Sequence, residues 1–361
     1  MMRIRHFFLT GIQVLFFLIA TQVSALSQSA QNAQSTDGPW LRPKGPHGAL
    51  IWGRRDGLIF GLPSPGGIRG PRGLIRVGVP GRSGGEPELI NFIAIEPVIK
   101  GGGSRFSRMG FSELEMSQLD SGMRGKRLWV TTTPGDLTTL PVKPQSVERL
   151  SVRIEVEPFT ANGAHVYVVA SMYSDRPHEL ELAVYAHEDS AHVEELTVTA
   201  TMGNYERVRH LWLKDHVIDS RELYAGYTGD GFIEKENYPR DEMLMYNDGD
   251  ALVLATTNED NPSGVEVTER PWWTYHSIKL TQYWRVPARH IQPDLRVKVN
   301  GRRVYWTSHI AVPGGLAFEN FEVRQRYVPG QEFVFGLTPK DPSEFSPGIP
   351  KLATQPKSRA K

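Results

Sequence analysis

Residues 151–157 read SVRIEVE. In an extended chain successive side chains point to opposite faces, so Val152, Ile154 and Val156 fall on one side and Arg153, Glu155 and Glu157 on the other. A helix would scatter both sets around its circumference. HELELAVY (178–185) repeats the pattern with Leu180, Leu182 and Val184. AHVYVVASM (164–172) and DALVLATT (250–257) are nearly continuous apolar runs, as expected of strands covered on both faces.

Outward from these runs the punctuation is that of a β protein. Asp56-Gly57, Asn162-Gly163, Asp230-Gly231, Asp248-Gly249 and Asn300-Gly301 lie near β-patterned stretches, and such pairs supply the positive φ of tight hairpin turns. Helical spacing is scarce; FSELEMSQLD (111–120) and YPRDEMLMY (238–246) are the candidates for short helices or turns. Many strands at short spacing, with 35 Gly and 26 Pro between them, predict an all-β fold, a large antiparallel β-sandwich with few short helices. No fixed-period repeat points to a propeller or a β-helix.

The ends read differently. Arg3, Arg5 and His6 precede an apolar run from Phe7 to Ala20, and Val23-Ser24-Ala25 gives a small-x-small cleavage signature, so residues 1–25 are expected to be a secretory signal peptide. The run is short of the roughly 20 residues that a spanning helix needs. Residues 26–45 read as a linker, 46–340 as one sandwich domain, and 341–361 as an irregular basic tail. The expected mature protein is exported, periplasmic or extracellular, without membrane insertion. The chain has no cysteine, which excludes disulfides, thiolate zinc sites and a cysteine nucleophile. Net charge is +1, and −1 once Arg3 and Arg5 are removed, so the basic field of a general nucleic-acid binder is missing.

The common catalytic motifs are absent from the sequence: no G-x-S-x-G elbow, no P-loop, no dinucleotide fingerprint. In HEDSAH (187–192) the histidines are five apart, not four, so His187 and His192 read as turn residues and not as zinc ligands. Asp230, Asp248 and Asp250 fit turn chemistry better than a calcium loop. No metal and no cofactor is expected.

Three stretches carry candidate chemistry. In ATMGNYERVRHLWLKDH (200–216) strand alternation sends Arg207, Arg209, Leu211 and Leu213 one way and Val208, His210 and Trp212 the other. The two arginines would then sit about 7 Å apart on one sheet face, suited to an acidic polymer or to carboxylates of neighbouring strands. In ERPWWTYHSIKLTQYWR (269–285) Tyr275, Ser277, Lys279, Thr281, Tyr283 and Arg285 share one face. His276, Ile278, Leu280, Gln282 and Trp284 form a core face on which the histidine reads as structural. Two phenols, an amine and a guanidinium without aliphatic neighbours suit a sugar, with Trp272 and Trp273 as stacking platforms. In RRVYWTSHIAV (302–312) Arg303, Tyr305, Thr307 and His309 share a face.

Proton abstraction beside a uronate carboxylate needs a base and a cation, which Tyr275, Tyr283 or His309 and Lys279, Arg285, Arg207 or Arg209 would supply. That is the logic of a polysaccharide lyase. Hydrolysis would use two carboxyls flanking the sugar, with Glu96, Glu113, Glu115 and Glu319 as candidates. The alternative to both is a non-catalytic carbohydrate-binding or envelope protein.

GPRGLIRVGVP (70–80), LINFIAIEPV (89–98) and GGLAFENFEVRQRYVPGQEFVFGLTPKDP (314–342) resemble a group of exported bacterial proteins associated with polysaccharide degradation. The resemblance spans residues 46 to 340. It implies a large β-sandwich of the galactose-mutarotase type and a polysaccharide or oligosaccharide partner. It carries over no catalytic residue: the histidine and glutamate of mutarotase itself are not placed by it in this sequence.

Overall fold

The computed structural model describes residues 38–44, 49–62, 75–81, 87–99, 129–130, 134–155, 158–159, 162–201, 206–233, 236–247, 249–257, 279–305, 310–346 and 349–350. The strands of the first half are β1 (Trp40–Leu41), β2 (Ile51–Arg54), β3 (Ile59–Gly61), β4 (Ile75–Val79), β5 (Glu88–Ile99), β6 (Trp129–Val130), β7 (Asp136–Leu140), β8 (Val147–Glu155), β9 (Val166–Tyr173) and β10 (Arg176–Ala186). Then follow β11 (Val193–Thr201), β12 (Val208–Trp212), β13 (Val217–Asp219), β14 (Glu236–Pro239), β15 (Leu244–Tyr246), β16 (Asp250–Thr257), β17 (Thr281–Val286), β18 (Arg296–Arg302), β19 (Ala317–Arg326) and β20 (Gln331–Thr338). They form two antiparallel sheets. The first runs β1-β2-β3-β4-β5-β11-β19-β18-β14, and the second β13-β12-β16-β17-β20-β10-β9-β8-β6, with β15 on β16 and β7 on β8. The fold is the all-β sandwich expected.

Alternation decides what lies between the sheets. Leu150, Val152 and Ile154 of β8, Leu180, Leu182 and Val184 of β10, and Val166, Val168 and Met172 of β9 point inward. They meet Ile93 and Ile95 of β5, Leu196 and Val198 of β11, and Phe321 and Val323 of β19. Burying a side chain of this size contributes roughly 1.5–3 kcal/mol, so this shared interior is what holds the sheets together. Trp284 of β17 is fully buried, and its indole N–H donates to the Phe321 carbonyl of the opposite sheet at 2.9 Å. Beyond Asp250, β16 is buried throughout, as its apolar run predicts, whereas β9 is covered on one face and half-covered on the other.

The expected turns divide. Asn247 (φ 47°) and Gly249 (φ 105°) make the left-handed turn between β15 and β16. Asn300-Gly301 instead lies inside β18, at a register shift against β19, and is a bulge. Gly57 lies where a turn of the first sheet meets the second: a Cβ there would come within 2.0 Å of the Pro177 carbonyl oxygen. Residues 238–246 give the end of β14, a 3-10 turn at Arg240–Glu242 and β15. An α-helix not read from the sequence, α1 (Ser220–Leu223), is capped by the Asp219 carboxylate, which accepts from the Arg221 N–H. Residues 111–120 lie outside the described residues.

The segment after β20 is not wholly irregular. Asp341 and Glu344 form a capping box around a 3-10 turn at Pro342–Glu344, and Phe345 and Ile349 pack on the outer face of the second sheet.

Candidate functional site

Of the aromatic stretch 269–285, Lys279 onward is described; Trp272, Trp273, Tyr275, His276 and, further on, His309 lie outside the described residues. Strand β17 keeps the expected alternation, with Gln282, Trp284 and Val286 inward and Thr281, Tyr283 and Arg285 outward. Lys279 is exposed just before the strand. The outward face, however, is closed. Tyr283 is 5% exposed, with the edge of Phe345 against its ring at 5.2 Å and Trp212, Leu252 and Leu254 around it. Its hydroxyl donates to Glu179 Oε1 at 3.0 Å. Burial pushes the phenol pKa well above its usual value, and the Glu179 charge pushes the same way. The face read as open to a ligand is covered at Tyr283, whose hydroxyl is engaged by Glu179.

Arg285 is likewise engaged. Its guanidinium donates to Glu179 Oε1 and Oε2 at 3.2 and 2.5 Å and to Asp250 Oδ2 at 2.7 Å. A cation shared by two half-buried carboxylates is a structural tie and not a reserve for a uronate. Asp250 also accepts from the Ala288 N–H at 2.9 Å.

The arginines of β12 do not share an open face. Arg207 has φ 52°, and the strand slips register against β16 between Val208 and His210. That bulge turns Val208 into the core beside Leu211 and Leu213. Arg207 and Arg209 are both buried. Arg209 Nε donates to the Leu316 carbonyl at 3.2 Å, and its Nη2 to that of Pro313, tying down the loop before β19. The expected grip on an acidic polymer is replaced, for Arg209, by the capping of carbonyl groups.

Chemistry gathers instead on the outer face of the first sheet. Register sets Ala94, Thr199, Glu322 and Lys298 in one row across β5, β11, β19 and β18, and Glu96, Thr197, Arg324 and Arg296 in the next. A third row holds Thr201, Asn320 and Asn300, with the Thr201 hydroxyl donating to Asn320 Oδ1 at 2.7 Å. Thr199 Oγ1 donates to Glu96 Oε1 at 3.3 Å. Glu96, Thr197, Thr199 and Glu322 are each no more than 3% exposed. Among the described residues the Thr197 hydroxyl has no hydrogen-bond partner. At the far edge Glu195 accepts from Arg296 at 2.7 Å and from Arg324 Nε at 2.7 Å. Burial alone would raise the Glu195 carboxyl, but these two arginines hold it below the usual range.

This polar area borders an apolar one on the same face, made by Leu41, Ile51, Phe92, Ala94, Tyr305 and Val312. Glu96, a candidate from sequence, therefore belongs to a buried polar face. Glu319 is buried at the start of β19 beside Arg302, whose pKa burial lowers against the opposing pull of the Glu319 charge. Glu113 and Glu115 lie outside the described residues. Sequence reading did not single out Glu322, Thr197 or Thr199.

A third polar group crosses the core. Asn91 Nδ2 of β5 donates to Gln282 Oε1 of β17 at 2.8 Å, and Gln282 Nε2 donates to Glu206 Oε2 at 2.9 Å. Glu206, just before β12, is 1% exposed, and its Oε1 has no partner among the described residues.

His187, in the turn after β10, stacks on His165 at 4.0 Å and meets Glu155 at 2.9 Å. Among the described residues no three histidine, aspartate or glutamate side chains gather as metal ligands. No helix among them is long and apolar enough to cross a membrane. No protein-family model matches the chain, and no curated protein matches it.

Proposed function

We propose that the protein is an exported, carbohydrate-active protein of the mutarotase-like polysaccharide-degrading group, and that the outer face of its first sheet engages the glycan. The observation that carries this reading is the buried polar face on which Glu96 and Glu322 flank β11, beside an apolar area. Sugars are amphipathic, and a mostly apolar site with a few fixed polar groups suits them. Adjacent strands lie about 4.8 Å apart and residues two apart about 6.6 Å, so the two glutamate Cα atoms stand roughly 12 Å from one another. Their side chains can narrow this to the roughly 5–9.5 Å at which paired carboxyls flank a glycosidic bond.

This reading favours hydrolysis by a carboxyl pair over elimination, because it rests on the two glutamates of this face. The secretory character rests on residues 1–25. The test is incubation of the purified protein with neutral and uronic-acid polysaccharides, following reducing ends and the absorbance of an unsaturated uronate together. Reducing ends without absorbance, lost in Glu96→Gln and Glu322→Gln, are the expected result. Absorbance that survives both substitutions would move the reaction to elimination, and retained binding without either signal would make the protein a binding module.

A further inference from the structure

The chain Asn91–Gln282–Glu206 has no place in the proposed glycan chemistry, since it lies between the sheets and not on an outer face. Its geometry is unusual for a sandwich core. Asn91 belongs to the first sheet and Gln282 to the second, and both are about 1% exposed. The chain ends at Glu206, where the polypeptide has just crossed from β11 of one sheet to β12 of the other. Directly after it stand the left-handed Arg207 and the bulge of β12. Two amides and one carboxyl thus bridge the sheets at the point of crossover.

The amide chemistry fixes direction. Asn91 Oδ1 accepts from the Phe92 N–H at 2.9 Å, so its amino group faces Gln282; the Gln282 amino group in turn faces Glu206. Glu206 Oε2 is the acceptor at the end of the relay, and Oε1 has no partner among the described residues. A dry carboxylate with one hydrogen bond and a bare oxygen is costly, whereas a neutral carboxylic acid there is tolerable.

We propose that Glu206 is a proton-controlled lock on this end of the sandwich: protonated, it closes the bridge between the sheets, and ionised, it draws water in and loosens the β11–β12 crossover. Burial pushes its pKa well above the usual carboxyl range, with the Gln282 bond a smaller opposing influence. Around it β5 contributes neutral Asn91 and, three residues earlier, buried Glu88; β17 contributes neutral Gln282; β12 contributes Arg207 and Arg209. Arg209 is turned to the carbonyls of Pro313 and Leu316, and among the described residues no charge acts appreciably on the Glu206 carboxyl.

The sign follows from linkage. The native state holds a proton that the opened state releases, so the lock is fully closed below the ordinary glutamate pKa. It weakens as pH rises toward the elevated native one. Within that window the opening constant rises by up to about tenfold per pH unit.

The experiment is native-state hydrogen exchange on the full protein between pH 5 and 9, corrected for the intrinsic pH dependence of exchange. Amides of Val208–Leu211 and Gln282–Trp284 should open progressively more often with pH in the wild type and not in Glu206→Gln, which keeps the acceptor for Gln282 but cannot ionise. Parallel profiles for the two proteins would overturn the proposal. Infrared spectroscopy of the wild type alone gives a second readout, independent of whether the variant folds. A carboxylic-acid carbonyl band persisting at pH 7 supports the lock, and a spectrum with only carboxylate bands refutes it.

Discussion

The outer faces of the two sheets are built from similar residue types and have opposite characters. On the second sheet, polar and aromatic side chains are used up on one another. Tyr283 and Arg285 satisfy Glu179 and Asp250, Arg153 lies over the Tyr167 ring at 3.7 Å, and Tyr167 stacks on Tyr185 at 5.0 Å. On the first sheet, Glu96, Thr197, Thr199 and Glu322 are more deeply buried than most of those groups, yet the Thr197 hydroxyl has no partner among the described residues. A polar residue is best judged by what it has already bonded. Aromatic richness drew attention to the face on which Tyr283 and Arg285 are already bonded to Glu179 and Asp250.

That contrast can be broken most forcefully by removing the two glutamates. Glu96→Gln or Glu322→Gln should each lower reducing-end release by about 10²- to 10⁴-fold, the usual worth of a carboxyl acting as acid or base. Urea denaturation should show much smaller changes in stability. Equal activity in all three proteins would take the chemistry away from this face. On the second sheet the effect should fall on stability instead: Arg285→Ala leaves Glu179 and Asp250 without their shared cation and should cost about 3–5 kcal/mol. Arg285→Lys, which cannot span both carboxylates in the same way, should recover only part of it.

Smaller effects sharpen the comparison. Phe345→Ala uncovers Tyr283 and should cost about 1–2 kcal/mol in denaturant titration, with the Tyr283 phenol becoming titratable at lower pH. Thr197→Val removes a buried hydroxyl without a partner, so stability should hold or rise by up to about 1 kcal/mol. If a glycan hydroxyl is what Thr197 awaits, oligosaccharide affinity should fall in the same variant. A loss of stability without a loss of affinity would make Thr197 an ordinary packing residue.

Much of the fold was legible because burial follows period two. SVRIEVE, HELELAVY and DALVLATT give their strands and core residues directly. The strand β12 failed for a local reason: left-handed Arg207 and the bulge after it shift the alternation by one, which no pattern in ERVRHLW announces. Asn300-Gly301 reads like a turn but sits in a strand, since neighbouring β19 takes up the extra residue. The candidate site was less legible still. Thr197, Thr199 and Glu322 alternate with core residues, but whether such a face meets water depends on contacts distant in sequence. Glu206 looked like one charge among several in GNYERVR; its burial follows from the crossover between sheets, a property of topology.

The strand order also bears on when the molecule can fold. Strand β19 sits between β11 and β18, and β20 between β10 and β17, so the last two strands of the chain occupy interior positions of both sheets. Any shorter nascent chain would leave β10, β11, β17 and β18 with open edges and no central partner. Such late, non-local closure makes for slow folding. Neither sheet can be completed until residues 317–338 have been made, so both sheets close together and late.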